Sequence, residues 1–202
     1  MRRSVLRKAQ RLFFWFGIAL LLYIGGMLGY AQVYQRYQDW KFDNDSTELE
    51  NDFDSSVNGA FRPDEGDIVG RLEIPSVRIS VMILEGTDEK TLASGAGHLP
   101  TTPLPGASGN VSIAAHRDTF FRNLKDIQKG DAIRVSTLRR SFDYVVESTE
   151  TVNPDDVHVI ETRESSELTL ITCYPFYYVG SAPKRFVVHA RPVPGIHGRA
   201  LD

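Results

Sequence analysis

The rhythm of apolar and polar positions changes twice along the chain. From Leu12 to Ala31 the residues carry no ionisable group except the weakly acidic Tyr23 and Tyr30. At ~1.5 Å rise per residue a helix over this stretch spans ~30 Å, the thickness of a bilayer's hydrocarbon core. It lacks the polar face that a buried helix of a globular domain presents. From Gln32 to about Phe61 the periodicity disappears and Asp, Glu, Asn and Ser accumulate, most densely between Lys41 and Asn58. Such a segment cannot bury enough apolar area to offset its ordering entropy, so a juxtamembrane spacer is predicted.

From Asp67 onward the pattern is that of short strands. Ile68, Leu72 and Ile74 alternate with Val69, Arg71 and Glu73, and Pro75 ends the run. Val77, Ile79, Val81 and Ile83 form a second alternating run. Further strands are predicted at Val111–Ala115, Ala132–Val135, Phe142–Glu147, Leu168–Cys173 and Arg185–Ala190, with turn residues such as Gly106–Asn110 and Lys129-Gly130-Asp131 between them. Only short helices fit, around Asp88–Ser94 and Asp118–Leu124, with Thr87 and Asp118 as caps. Seven or eight short strands in about 135 residues predict a mainly β domain closed, or nearly closed, into a barrel.

Charge orients this arrangement. Arg2, Arg3, Arg7, Lys8 and Arg11 precede the apolar stretch, and basic residues stay on the cytoplasmic side, which sends the rest of the chain outward. A cleaved signal peptide has a shorter apolar region and a small-x-small cleavage site. Here the run ends Leu28-Gly29-Tyr30-Ala31, a poor site, and the same objection meets the faint twin-arginine pattern at Arg2-Arg3. The expected organisation is a cytoplasmic basic segment (1–11), a transmembrane signal anchor (12–31), an acidic flexible spacer (32–65) and an extracytoplasmic domain (66–202). The 202 residues leave room for one domain beyond anchor and spacer. Charges nearly balance within 68–202, so no nucleic-acid surface is implied. The acidic spacer has no EF-hand spacing.

Cys173 is the only cysteine, so an exported domain cannot use it for an internal disulfide. It ends a β-type run and precedes Tyr174-Pro175, where proline stops the ladder. Taken alone it is either a small buried hydrophobe or a reactive thiol at a barrel rim. His116 closes the run Asn110–Ala115, with the small Ala114 and Ala115 leaving room beside it. His98 falls in a Gly-rich loop and His189 in a strand, where a structural role is expected; His158 and His197 complete the set. No ligand cluster for zinc is visible. Arg185 begins the last long strand; a guanidinium there suits a developing oxyanion or a peptide carbonyl, although a surface ion pair explains most arginines. His116-Arg117-Asp118 mimics a kinase catalytic triplet without its companion motifs, and Gly106-Ala107-Ser108-Gly109 lacks the ending of a phosphate loop.

Together these residues carry more. Thr169-Leu170-Ile171-Thr172-Cys173 resembles the Thr-Leu-x-Thr-Cys motif of the sortase family. Ala115-His116-Arg117-Asp118-Thr119-Phe120-Phe121 is similar to the family's histidine segment, and Arg185-Phe186-Val187-Val188 follows in the family's order. The resemblance covers roughly residues 66–192 and is greatest to the class D branch. It implies an eight-stranded sortase-type β-barrel with Cys173, His116 and Arg185 gathered around one groove. It implies a cysteine transpeptidase that cleaves an LPxTG-like sorting signal of secreted proteins and transfers the acyl group to an amine on cell-wall peptide or another protein. Thr172 and Ala114 are then groove-lining candidates by family position and strand placement. Ala115 departs from the glycine that many relatives carry before the histidine. No cofactor is implied; calcium activates some relatives, but no clear ligand set is present here. A membrane-tethered cysteine peptidase that hydrolyses, and a non-catalytic extracytoplasmic adaptor with a buried cysteine, are the alternatives.

Overall fold

The computed structural model describes residues 11, 13–23, 63–138, 140–161, 165–178 and 180–200. Residues 13–23 are helical, and among the described residues no helix is long and apolar enough to cross a membrane. The rest of the anchor expected at 12–31 and nearly all of the spacer fall outside the described residues.

Eight strands close into a barrel: β1 (Ile68–Ile74), β2 (Ile79–Glu85), β3 (Ala96–His98), β4 (Asn110–Ala114), β5 (Ala132–Ser136), β6 (Arg140–Val152), β7 (Glu167–Tyr174) and β8 (Lys184–Ala200). Their order around the barrel is β1-β2-β3-β4-β7-β8-β6-β5, with β5 pairing back to β1. Two neighbouring pairs are parallel, β2 with β3 and β4 with β7. Closure leaves no free sheet edge, which removes the main hazard of an all-β chain.

Alternation in the sequence maps onto the barrel wall. Leu72 and Ile74 of β1, Val111 and Ile113 of β4, Ile133 and Val135 of β5, and Leu168 and Leu170 of β7 are all buried in one core. Period-2 geometry sends their neighbours outward. In β1 the alternation slips where the register with β2 shifts between Ile68 and Gly70. A Cβ at Gly70 would collide with the Ser136 carbonyl, so only glycine lets β5 approach there.

The helices differ in part from expectation. The single described α-helix of the domain, α1 (Glu89–Ser94), is capped by Asp88 and not by Thr87: Lys90 N–H and Thr91 N–H both donate to Asp88 Oδ1, at 2.9 and 3.3 Å. No α-helix forms at Asp118–Leu124. The chain there runs through turns closed by Phe121 N–H on the His116 carbonyl and Arg122 N–H on the Thr119 carbonyl, followed by a 3₁₀ segment at Arg122–Asp126. This segment inserts Phe121 and Leu124, both fully buried, into the core.

His98 is not in a loop. It lies in β3, 1% exposed, with Nδ1 2.7 Å from Glu85 Oε2 and Nε2 3.0 Å from the Pro103 carbonyl. Both ring nitrogens have acceptors, the satisfied state required of a buried imidazole. His189 in β8 is held likewise, with Nδ1 2.8 Å from Glu167 Oε1 and Nε2 2.8 Å from Glu150 Oε1.

Candidate active site

The parallel pairing of β4 with β7 determines where chemistry can occur. Parallel strands end at the same rim, so the residues that follow β4 and those that end β7 arrive together. The register pairs Ala114 with Ile171, and Ala115 N–H donates to the Ile171 carbonyl at 3.1 Å. β4 ends at Ala114, and beyond it that bond and one from the Thr172 hydroxyl to the Ala115 carbonyl hold the residue before His116 against the end of β7. The next strand completes the row, because β8 runs antiparallel to β7 with Cys173 directly opposite Arg185. The three residues singled out in the sequence thus converge on one rim, although they are far apart along the chain.

Faces follow from parity. Leu168 and Leu170 point into the main core, so Ile171 and Cys173 face the other way. On β8, Val188 and Ala190 point inward and Arg185 and Val187 outward. The outward residues meet a second apolar cluster, in which Val152 of β6, Val187, Ile171 and the 3₁₀ turn Val157–Ile160 contribute Val152, Val159, Val187, Ile160 and Ile171. Cys173 is a free thiol and partly exposed, as are His116, Ala114 and Arg185. The site is therefore a strip along the outer face of β4, β7 and β8 at one end of the barrel, with an apolar floor and the 3₁₀ turn as a wall.

Several contacts fix this strip. Thr172, the residue before Cys173, is 2% exposed and donates its hydroxyl to the Ala115 carbonyl at 2.7 Å. Its hydroxyl therefore ties the histidine segment to β7, and its side chain faces the barrel interior and not the groove. On the inner side of the same rim, Tyr174, Phe176 and Phe186 pack as an aromatic triplet, with centroids 6.0, 6.4 and 5.3 Å apart. Edge-to-face and stacked contacts of this kind add to the area they bury. They clamp together the strand ends that carry Cys173 and Arg185.

Arg117 escaped the sequence reading beyond its place in the motif. Its Nη1 donates to the Pro175 carbonyl at 2.9 Å, and its Nη2 to the Tyr178 and Gly180 carbonyls at 2.9 and 3.1 Å. The guanidinium also lies 5.8 Å from the centroid of the Tyr178 ring. The residue following the histidine thus grips the loop following the cysteine. Asp118, expected as a helix cap, is exposed.

Among the described residues Arg185 bonds only to neighbouring carbonyls, from Nη1 to that of Lys184 at 3.1 Å and to that of Ala182 at 3.4 Å. A guanidinium carries five N–H donors, so most remain for an incoming group. Among the described residues no group of three or more His, Cys, Asp or Glu side chains could hold a metal ion. A pocket of about 540 Å³ lies elsewhere, lined by Glu65, Asp67, Leu84, Asp88 and residues of α1. None of the nucleophilic or basic candidates borders it. Chemistry, and not concavity, marks the site.

The chain is similar to proteins of one family. The sortase domain family model matches residues 72–193. Sortase D of Bacillus subtilis is 39% identical over 145 residues, covering 71% of this chain and 73% of that one. Sortase A of Listeria monocytogenes is 31% identical over 140 residues, 67% of this chain and 62% of its own length. Among solved structures, the Clostridium perfringens Sortase D5 transpeptidase superposes with a TM-score of 0.63 at 25% identity, over 80% of this chain and 97% of that one. Listeria monocytogenes sortase A superposes with a TM-score of 0.61 at 27% identity, over 67% and 92%.

Proposed function

The chain belongs to the sortase family, whose members are enzymes, and from that premise we propose that it cleaves an LPxTG-like sorting signal of secreted proteins and transfers the acyl fragment to an amine. What supports this reading is Cys173 opposite Arg185 across β7 and β8, with the residue before His116 tied by two hydrogen bonds to the end of β7.

The proposed chemistry has two halves. The Cys173 thiolate attacks the carbonyl carbon of the scissile peptide, forming a C–S bond and an oxyanion. Arg185 donates hydrogen bonds to that oxyanion. As the C–N bond breaks, imidazolium His116 protonates the departing amine, leaving a thioester. An incoming amine attacks the thioester, His116 takes its proton, and the C–S bond breaks to return the thiolate. The energy of the cleaved peptide bond is conserved in the thioester, so no nucleotide is required outside the cell. Ala114 and Ile171 form part of the groove floor in this reading. Thr172 acts through its bond to Ala115 and not by touching substrate.

Membrane anchoring through residues 12–31, with the domain outside the cytoplasm, belongs to the same proposal and is supported by the basic residues 2–11 and the uncharged stretch that follows. As a flexible chain of roughly 30 residues, the acidic segment reaches on the order of 30 Å in root-mean-square terms. That suits a domain whose substrates are held at the same membrane.

The test is a peptide assay with the purified chain and a small library varying the signal. Cleavage by wild type, its loss in Cys173→Ala, and an amine adduct on addition of hydroxylamine or a glycine-type amine support a transpeptidase. An acid product that the amine leaves unchanged points to a hydrolytic peptidase. A thiol that fails to alkylate under native conditions, together with no cleavage, points to an adaptor.

A further inference from the structure

Asn110 is 1% exposed, and every polar atom of its side chain is engaged. Its Nδ2 donates to the Val159 carbonyl at 2.9 Å and to the Glu161 carbonyl at 3.4 Å, while its Oδ1 accepts from the Thr169 hydroxyl at 2.8 Å. The two carbonyls lie at the C-terminal end of the turn Val157–Ile160, where helical carbonyls lack partners of their own. Asn110 is thus a cap supplied from a strand about fifty positions away.

The consequence lies in what the turn covers. Val159 and Ile160 pack on Ile171, Val187 and Val152, the outward row that adjoins Cys173 and Arg185. The other described polar ties of this segment are local or weak: Asn153 N–H on Asp156 Oδ2, Asp156 N–H on the Asn153 carbonyl, Glu161 N–H on the His158 carbonyl at 3.4 Å, and His158 Nε2 at 3.7 Å from Glu150 Oε1. The height of the wall above the groove floor is therefore set by the apolar cluster and by Asn110. Asn110 itself is oriented by Thr169, the first residue of the Thr-Leu-Ile-Thr-Cys run that ends at the nucleophile.

We propose that Asn110, oriented by Thr169, is a positioning residue for the acyl-side peptide: it holds the wall Val159–Ile160 at the height that admits the peptide beside Cys173, without touching the reacting atoms. This rests on the reading that the acyl-side peptide lies along this outer face. The residue type is decisive. An amide offers donors to two carbonyls and an acceptor to a hydroxyl at once, whereas a carboxylate sets acceptor against acceptor at both carbonyls.

The experiment compares wild type, Asn110→Asp, Asn110→Ala and Thr169→Val in the full chain. It measures KM and kcat for a sorting-signal peptide, the rate of Cys173 alkylation and the thermal midpoint. Removing a buried donor while leaving its acceptors unsatisfied should raise KM about tenfold in Asn110→Asp, with kcat within about threefold of wild type. Alkylation should stay at the wild-type rate. Thr169→Val should shift KM the same way by less, and should add nothing in the Asn110→Ala background, where its acceptor is already gone. An unchanged KM with a lowered thermal midpoint makes Asn110 merely structural and overturns the inference. A loss in kcat alone overturns it too, since that places the effect on the chemical step. Failure of wild type to cleave any signal peptide overturns the functional reading and this inference with it; a competent wild type with unshifted variants overturns the inference only.

Discussion

Cys173 and Arg185 stand directly opposite each other in the antiparallel ladder of β7 and β8. Cross-strand partners on one face have Cβ atoms only ~4.5–5.5 Å apart, so the Arg185 side chain is rooted beside that of Cys173 and its guanidinium can reach a group held at the thiol. Arg185→Lys keeps the charge but loses the planar fork. Its kcat/KM for a signal peptide should fall by about a hundredfold or more, the usual cost of removing an oxyanion donor. The thermal midpoint should stay near that of wild type because the side chain is partly exposed. Wild-type kcat/KM in this variant would remove Arg185 from the reaction.

Thr172 illustrates a tether hidden in the interior. Its hydroxyl donates to the Ala115 carbonyl, one residue before His116. Thr172→Val preserves shape and leaves that buried carbonyl without its partner, a loss of ~1–3 kcal/mol. Both the thermal midpoint and kcat/KM should drop, and Thr172→Ser should restore most of each because it keeps the donor. A Val variant equal to wild type in both measurements would show that the bond contributes nothing.

The grip of Arg117 on three carbonyls of the 175–180 loop predicts a local effect. Lysine is a single point charge and cannot serve three acceptors in a plane. Arg117→Lys should speed amide hydrogen exchange within residues 175–180 while leaving β1, β2 and β5 as protected as in wild type. Peptide turnover should fall with it, because the loop follows Cys173 directly. Uniform exchange across the molecule would instead mark Arg117 as an ordinary surface residue.

The sequence disclosed strands in proportion to how cleanly each alternated. β1 and β5 show period-2 burial over most of their length, and β1, β2, β5 and β7 were legible within a residue or two. β3 was not, because Ala96-Gly97-His98 is too short to show a period and contains a glycine that mimics a loop. β6 was expected to stop at Glu147 but runs to Val152, since Ser148, Thr149, Glu150 and Thr151 look like a turn when read singly. They remain in the sheet because β8 pairs with them to its end. The proposed trio of Cys173, His116 and Arg185 came from motif spacing, whereas the contacts around it were not legible. Asn110 and Arg117 act on backbone carbonyls of distant loops, and a carbonyl leaves no trace in residue identity. Thr172 was expected to line the groove by its place in the motif; strand parity turns it inward.

Tyr144 offers a test of the core that is independent of catalysis. It is 4% exposed on β6, within the main core, and burial pushes its phenol from about 10 up to about 12. A phenol is uncharged below its pKa, so burial favours the protonated form in the folded state. Between the unfolded and folded values the folded chain holds one more proton than the unfolded chain, and stability must therefore fall as pH rises. The window runs from pH ~10 to about 12, with a slope approaching about 1.4 kcal/mol per pH unit from this group. Lysines and the other tyrosines titrate there as well, so the informative quantity is a difference. Urea unfolding of wild type and Tyr144→Phe, followed from pH 8 to 11.5, should give parallel stabilities below about pH 9. Above that, wild type should lose ground steadily to the variant, which has no phenol to ionise. Curves that stay parallel to the end of the range would mean that the ring is not held out of water in the folded chain, and that the packing of β6 against the core is looser than its burial implies.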